Sequence, residues 1–148
     1  MPRTRQLILM VEDSPTDYEL AIRALRSAGL ANPIVRCEDG DEALDFLLRR
    51  GRYVDPESAP RPGVILLDLN LPGTDGREVL VAVKSDPVLK VIPVIVLTTS
   101  SNEHDVQACY LAGANSYIPK PVDFQAYAEA LGRLKDYWFD ITLLPKPD

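Results

Sequence analysis

The chain of 148 residues is short of several things, and each shortage excludes a class of protein. It has two cysteines, Cys37 and Cys109, with no close pairing motif between them. They fall on a predicted strand and a predicted helix, so packed, reduced thiols are the reading, rather than a disulfide framework or a thiolate metal site. No apolar run approaches the roughly 18 residues of a membrane span. The opening Met1-Pro2-Arg3-Thr4-Arg5-Gln6 is basic, yet Leu7–Val11 is too short for a signal-peptide core and ends in two acids. The expectation is a cytoplasmic protein with no membrane partner. Basic charge is scarce too: 16 Lys and Arg against 22 Asp and Glu give a net charge of −6. That speaks against direct nucleic-acid binding through a general basic surface. The single histidine, His104, stands among Asn102, Glu103 and Asp105 and reads as a solvated surface side chain. No internal repeat, low-complexity stretch or interdomain linker is visible.

Five short apolar runs are present: Leu7–Val11, Ile34–Cys37, Val64–Leu67, Ile92–Leu97 and Tyr117–Ile118. Such runs read as strands buried on both faces of a parallel sheet. Helical patterns lie between them. Ser14-Pro15-Thr16-Asp17 supplies an N-cap, a proline at the first helical position and an acid at the positive end of the dipole, and Gly29 is placed to stop that helix. A second helix over roughly Asp41–Leu48 presents Ala43, Leu44, Leu47 and Leu48. Asp75 opens a third with Val79, Leu80 and Val83 inward. Ser101 opens a fourth with Val106, Cys109 and Tyr110 on one face. The fifth begins near Asp123 and carries Phe124, Tyr127, Ala128, Leu131 and Leu134. The pattern is an α/β chain, (βα)₅, with a five-stranded parallel sheet and helices on both faces.

In such sheets the ligand crevice lies outside the carboxyl ends of the strands. Glu12 and Asp13 close the first run and Asp68 closes the third. Three acids at one edge repel one another unless a cation or proton lies among them, and Mg²⁺, which takes oxygen ligands and acts on phosphate, is the simplest occupant. The fourth run ends in Thr98-Thr99-Ser100-Ser101 and the fifth in Lys120-Pro121, adding hydroxyls and an ammonium. Carboxylates, a hydroxyl and a lysine are the parts that hold a phosphoryl group. Asp68 is the only acid on the central strand, hence the natural nucleophile for an acyl phosphate.

Glu12-Asp13, Asp68 within Asp68-Leu69-Asn70-Leu71-Pro72-Gly73, Thr98, Tyr117 and Lys120-Pro121 resemble the receiver domains of two-component response regulators, a flavodoxin-like fold. The resemblance covers about Leu7 to Lys135. It implies that Asp68 accepts a phosphoryl group from a phosphohistidine of a sensor histidine kinase, giving an aspartyl phosphate. It implies Mg²⁺ as cofactor, held by Asp13 and Asp68 directly, by the Asn70 backbone carbonyl, and by Glu12 through water. Lys120 would pair with Asp68 or a phosphoryl oxygen, Thr98 would bond another, and Tyr117 would turn inward as the switch. It also implies a cis Lys120–Pro121 bond, Pro121 being the cis-proline. Thr99 departs from the Ala or Ser common in the family and is expected to narrow access to the acyl phosphate. The Arg49–Gly63 connection and the apolar tail resemble stand-alone regulators that partner bacterial phytochromes.

Blander readings stand beside these. Glu12 and Asp13 could cap a helix, Lys120 could be solvated, Tyr117 could be plain core, and Arg49, Arg50, Arg52 and Arg61 could line a solvated loop. A haloacid-dehalogenase-type phosphatase needs a second acid two residues after the nucleophile; that position is Asn70, which cannot transfer a proton. The chain is therefore read as a phosphoacceptor signalling protein rather than an enzyme. An unphosphorylated adaptor is the remaining alternative, opposed by the full acid, threonine and lysine set. The expected division is a receiver over residues 1–136 and an apolar C-terminal extension over 137–148 that serves as a dimerisation arm, with no DNA-binding domain expected after the fifth helix. Leu134, Trp138, Phe139, Ile141, Leu143 and Leu144 have no internal partner in the expected fold, so a homodimer held by them is the expectation. The alternative is a tail folded back on its own domain.

Overall fold

The computed structural model describes residues 6–145; the outermost residues of both the receiver and the extension lie outside them. The five strands are β1 (Ile8–Val11), β2 (Ile34–Cys37), β3 (Val64–Leu67), β4 (Val94–Thr98) and β5 (Ser116–Pro119). They form one parallel sheet in the order β2-β1-β3-β4-β5. The helices are α1 (Pro15–Ser27), α2 (Gly40–Leu48), α3 (Gly76–Ser85), α4 (Glu103–Leu111) and α5 (Phe124–Lys135).

Alternate strand residues face opposite sides of a sheet, and two cores result. Leu9, Val11, Ile65, Leu67, Val94 and Val96 meet Phe46 of α2, Val79, Leu80 and Val83 of α3, and Cys109 of α4. Ile8, Met10, Val64, Leu66, Ile95 and Leu97 meet Ala21 and Leu25 of α1 and Tyr127, Leu131 and Leu134 of α5. Burial on both faces is why the central strands are continuously apolar.

The expected caps at Ser14, Asp75 and Asp123 are in place; Ser14 Oγ accepts from the Asp17 N–H at 3.2 Å. Two helix starts differ. Asp39 rather than Asp41 caps α2, and Asn102 rather than Ser101 caps α4. The inward stripe of α2 is Ala43, Phe46 and Leu47, while Leu48 is partly exposed. Phe46 lies beside Ala43 at i+3 and meets Tyr53 edge-on with ring centroids 5.1 Å apart. On α4 only Cys109 is buried; Tyr110 is about half exposed.

The 49–63 connection is stitched down by its own arginines. Arg49 Nε donates to the Ala59 carbonyl at 3.2 Å, Arg61 donates to the Leu47 carbonyl, and Arg52 pairs with Glu42. Gly63 N–H donates to the Leu7 carbonyl at 2.8 Å. A Cβ there would fall 2.0 Å from Gln6 Oε1 and 2.7 Å from Gln6 Cβ, so any larger residue would force the Gln6 side chain aside.

The tail corrects the premise behind the expected interface. A π-helical turn, Asp136–Ile141, continues α5, and Trp138, Phe139 and Leu144 pack against the α1–α5 core, where Leu134 is fully part of the interior. Ile141 and Leu143, with Tyr137, remain exposed. The π-turn re-aims the side chains after Lys135, so the surplus splits between a face that covers α5's own core and a face turned to solvent.

Candidate phosphoryl and cation site

Three short carboxyl ends build the site. β1 and β3 are paired in register, Val11 opposite Leu67, so Glu12 and Asp68 leave the sheet at the same level. Carboxylate oxygens of Glu12, Asp13 and Asp68 all lie within 4.8 Å of one another. Glu12 and Asp68 are buried, with relative exposures of 1% and 8%, and Asp13 opens to solvent. An oxygen-only donor set, part buried and part open, suits a hard divalent cation that keeps some of its water.

β5 brings Lys120 into the same place. Its Nζ lies 2.5 Å from Glu12 Oε1, 3.2 Å from Asp68 Oδ2 and 3.3 Å from Asp17 Oδ2. Burial alone would lower the Lys120 ammonium, but the Glu12 hydrogen bond and the charges of Asp68 and Glu12 hold it above its ordinary value. Burial likewise pushes Glu12 up to about 7, opposed by its bond to Lys120 and reinforced by the charge of Asp68. The ammonium is thus the internal counter-ion of a cluster that would otherwise repel itself.

Lys120 reaches these partners without the expected isomer. None of the peptide bonds of the described residues is cis, so the expectation for Pro121 is corrected: Lys120–Pro121 is trans, the isomer favoured by about 0.5–1 kcal/mol in X–Pro bonds generally. The Lys120 N–H donates to the Thr98 carbonyl at 2.6 Å, so β4–β5 pairing itself aims the side chain. Thr98 is fully buried, with its Oγ1 accepting from the Ser100 N–H at 3.3 Å. Tyr117 is half buried and its hydroxyl donates to the Ser100 carbonyl at 2.8 Å. Asn70 is exposed, and its N–H donates to Asp68 Oδ1 at 3.2 Å. Thr99 is exposed at the mouth.

Sequence reasoning missed three contributors. Asp17 serves as Lys120's third acid as well as a first-turn acid of α1. Arg36, inside a run read only as a strand, donates to the carbonyls of Glu12 (3.0 Å) and Asp13 (3.2 Å), fixing the backbone of the acid pair. A charged residue interrupting a strand was the available signal. Tyr127, read as core, has a buried hydroxyl without a hydrogen-bond partner. Burial pushes that hydroxyl up to about 12, with Lys120, Glu12, Asp17 and Asp68 close enough to act on it.

A family model for the response regulator receiver domain matches residues 8–132. The chain belongs to the response regulator receiver family. It is 41% identical to response regulator Rcp1 of Synechocystis over 95% of this chain and 93% of that protein. The structure of the Mn(2+)-bound form of Rcp1 superposes with a TM-score of 0.89, covering 95% of this chain and 99% of that one. The phosphorylated cyanobacterial phytochrome response regulator RcpA superposes with a TM-score of 0.90 at 40% identity, covering 97% and 100%. The chain is therefore a receiver-domain response regulator similar to phytochrome response regulators, with a flavodoxin-like fold. Its acidic trio fits the phosphorylation site and the divalent-cation pocket of that family.

Proposed function

We propose that this receiver takes a phosphoryl group onto Asp68 from the phosphohistidine of a sensor histidine kinase, with Mg²⁺ as the cation. The observation that carries the reading is Lys120 Nζ set between Glu12 Oε1 and Asp68 Oδ2 beside the converging acids. In the transfer, a carboxylate oxygen of Asp68 bonds to phosphorus while the P–N bond breaks, and the imidazole leaves with the electron pair. Asp13 and Asp68, the Asn70 carbonyl, and Glu12 through water would hold Mg²⁺, whose contribution is to offset charge on the phosphoryl oxygens. Asn70's N–H steadies Asp68 Oδ1, leaving the Lys120 side of the carboxylate to meet the donor. Lys120 follows the charge to a phosphoryl oxygen, and Thr98 gives its hydroxyl to another. Tyr117 reports the change through the Ser100 carbonyl it already holds.

Incubation with acetyl phosphate and Mg²⁺, followed by intact mass, should add one phosphoryl group. Asp68→Asn should abolish it, and excess chelator should suppress it. Equal labelling of the Asn variant overturns the assignment.

We further infer that the partner kinase is of the phytochrome class, supported by the likeness to RcpA, and that the protein works in the cytoplasm as a homodimer. The dimer reading rests on exposed Tyr137, Ile141 and Leu143 beside a tail that otherwise packs inward. Ile141→Glu with Leu143→Glu should give a monomer by light scattering; a double variant that remains dimeric removes the tail from the interface.

A further inference from the structure

Thr98 and Tyr117 are both tied to residues 99–102, the loop between β4 and α4. The Ser100 N–H donates to Thr98 Oγ1, and the Ser100 carbonyl receives the Tyr117 hydroxyl. A third hold on this loop comes from outside the sheet edge. Ser100 Oγ donates to Asp105 Oδ2 at 2.8 Å. Asp105, in the first turn of α4, receives the Arg77 guanidinium as a fork, Nη2 at 3.0 Å from Oδ2 and Nε at 3.3 Å from Oδ1.

Arg77 is itself anchored. Its Nη1 lies 3.1 Å and 3.3 Å from the two carboxylate oxygens of Asp75, the cap of α3. That first turn of α3 is seated on the phosphoacceptor's own backbone. The Gly76 N–H donates to the Leu69 carbonyl at 2.9 Å, and a Cβ at 76 would fall 2.2 Å from the Asp68 carbonyl oxygen. An unbroken path of contacts therefore runs from Asp68 through α3, Arg77 and Asp105 to Ser100, and from there to Thr98 and Tyr117.

We propose that Arg77 is a positioning residue of the phosphotransfer site, its fork on Asp105 holding the Ser100 loop where Tyr117 is already bonded to it. The inference rests on Asp68 being the phosphoacceptor. A planar guanidinium meets a carboxylate at two points and fixes its angle, which a lysine's single ammonium does not. Arg77 is about one-third exposed, so the pair adds little to global stability. Its effect is on where the loop rests. Hydrogen bonds from Arg77 and Ser100 hold the Asp105 carboxyl below its ordinary range, as expected of an acid serving two donors. In this proposal the held loop is the arrangement a phosphoryl group requires, so the fork raises the competent fraction, and the apparent affinity of a phosphoryl mimic scales with that fraction.

The test is titration of the full chain with beryllofluoride and Mg²⁺, followed by NMR of the Thr98 and Ser100 amides. Arg77→Gln should weaken apparent affinity by roughly three- to tenfold. Asp105→Asn should do the same, and the double variant should be no weaker than either single one. Arg77→Lys should recover only part of the loss. Thermal unfolding distinguishes a general loss of structure, because the Gln variant should unfold close to the parent temperature. Equal affinity in parent and Arg77→Gln overturns the positioning role while leaving the Asp68 reading intact. Additive losses in the double variant also overturn it. No beryllofluoride binding by the parent chain overturns both.

Discussion

Two of the cations at the carboxyl edge of this sheet, Lys120 and Arg77, sit in opposite surroundings. Lys120 is buried, its side chain 6% exposed, and serves three acids at once. Arg77 lies at the rim, its side chain 36% exposed, and serves two. The same attraction does different work in the two places. A buried charge cannot lose its partner cheaply, because water is not there to replace it, so Lys120 is structural and chemical together. A rim charge is readily rehydrated, so Arg77 can bias a loop without the fold depending on it. Burial separates the ion pair that must be present from the one that can be adjusted.

The largest expected effect is from Lys120→Met. It leaves Glu12 and Asp68 buried without a counter-ion, and denaturant unfolding without metal should lose about 3–5 kcal/mol, as when one member of a buried pair is removed. Acetyl phosphate labelling should fall sharply as well. A variant as stable as the parent would put Lys120 in the class of Arg77 and end the contrast.

Divalent cation comes next. Mg²⁺ at 100 times its dissociation constant should stabilise the chain by about 2.7 kcal/mol through binding to the folded state alone. Asp13→Asn should remove most of that gain. The same site sets a pH trend in chelator. Glu12 is raised from 4.5 to about 7, so between those values the folded chain binds a proton that the unfolded chain has released. Stability should therefore fall as pH rises through that window, and Mg²⁺ should flatten the trend. A metal-free chain whose stability rises there would contradict the account.

Arg77→Gln should cost at most about 1 kcal/mol of global stability, the usual value of an exposed pair. A loss comparable to that of Lys120→Met would erase the difference between core and rim. The smallest effect belongs to Thr99, exposed at the mouth. Thr99→Ala should shorten the lifetime of the aspartyl phosphate about two- to fivefold, a barrier change below 1 kcal/mol; an unchanged or longer lifetime would show that Thr99 does not shield the bond.

Most of this arrangement was legible before any coordinates, for a physical reason. Strands buried on both faces must be apolar, so Glu12, Asp68 and Lys120 stand out where the apolar runs stop. What was illegible depends on aim rather than type. Phe46, by contrast, was within reach: Ala43, Phe46 and Leu47 are an i, i+3, i+4 stripe, which leaves Leu48 toward solvent. Tyr110 looked like core because its spacing from Val106 is helical, but α4 buries little besides Cys109. The tail's split between Trp138 and Ile141 follows from a π-turn that no periodicity announces. Asp17 reads only as a first-turn acid, Arg36 only as a charge within a strand, and Arg77 carries no signal of its role, because the partners that matter lie far away in sequence. The trans bond before Pro121 is of the same kind: β4–β5 pairing, which ties the Lys120 N–H to Thr98, already aims the side chain.

Gly63 marks where one part of the chain stops mattering to another. Its N–H is fastened to Leu7, and the next residue, Val64, pairs with Ile8, so the level at which Asp68 leaves the sheet is measured from that point onward. The length of the exposed run before it does not enter the measurement. Residues added or removed in the exposed run 54–58 should therefore leave the nucleophile at its place along the strand, whereas a single residue added between Gly63 and Asp68 would carry the carboxylate to the other face. The molecule has an insertion port and a ruler, separated by one glycine.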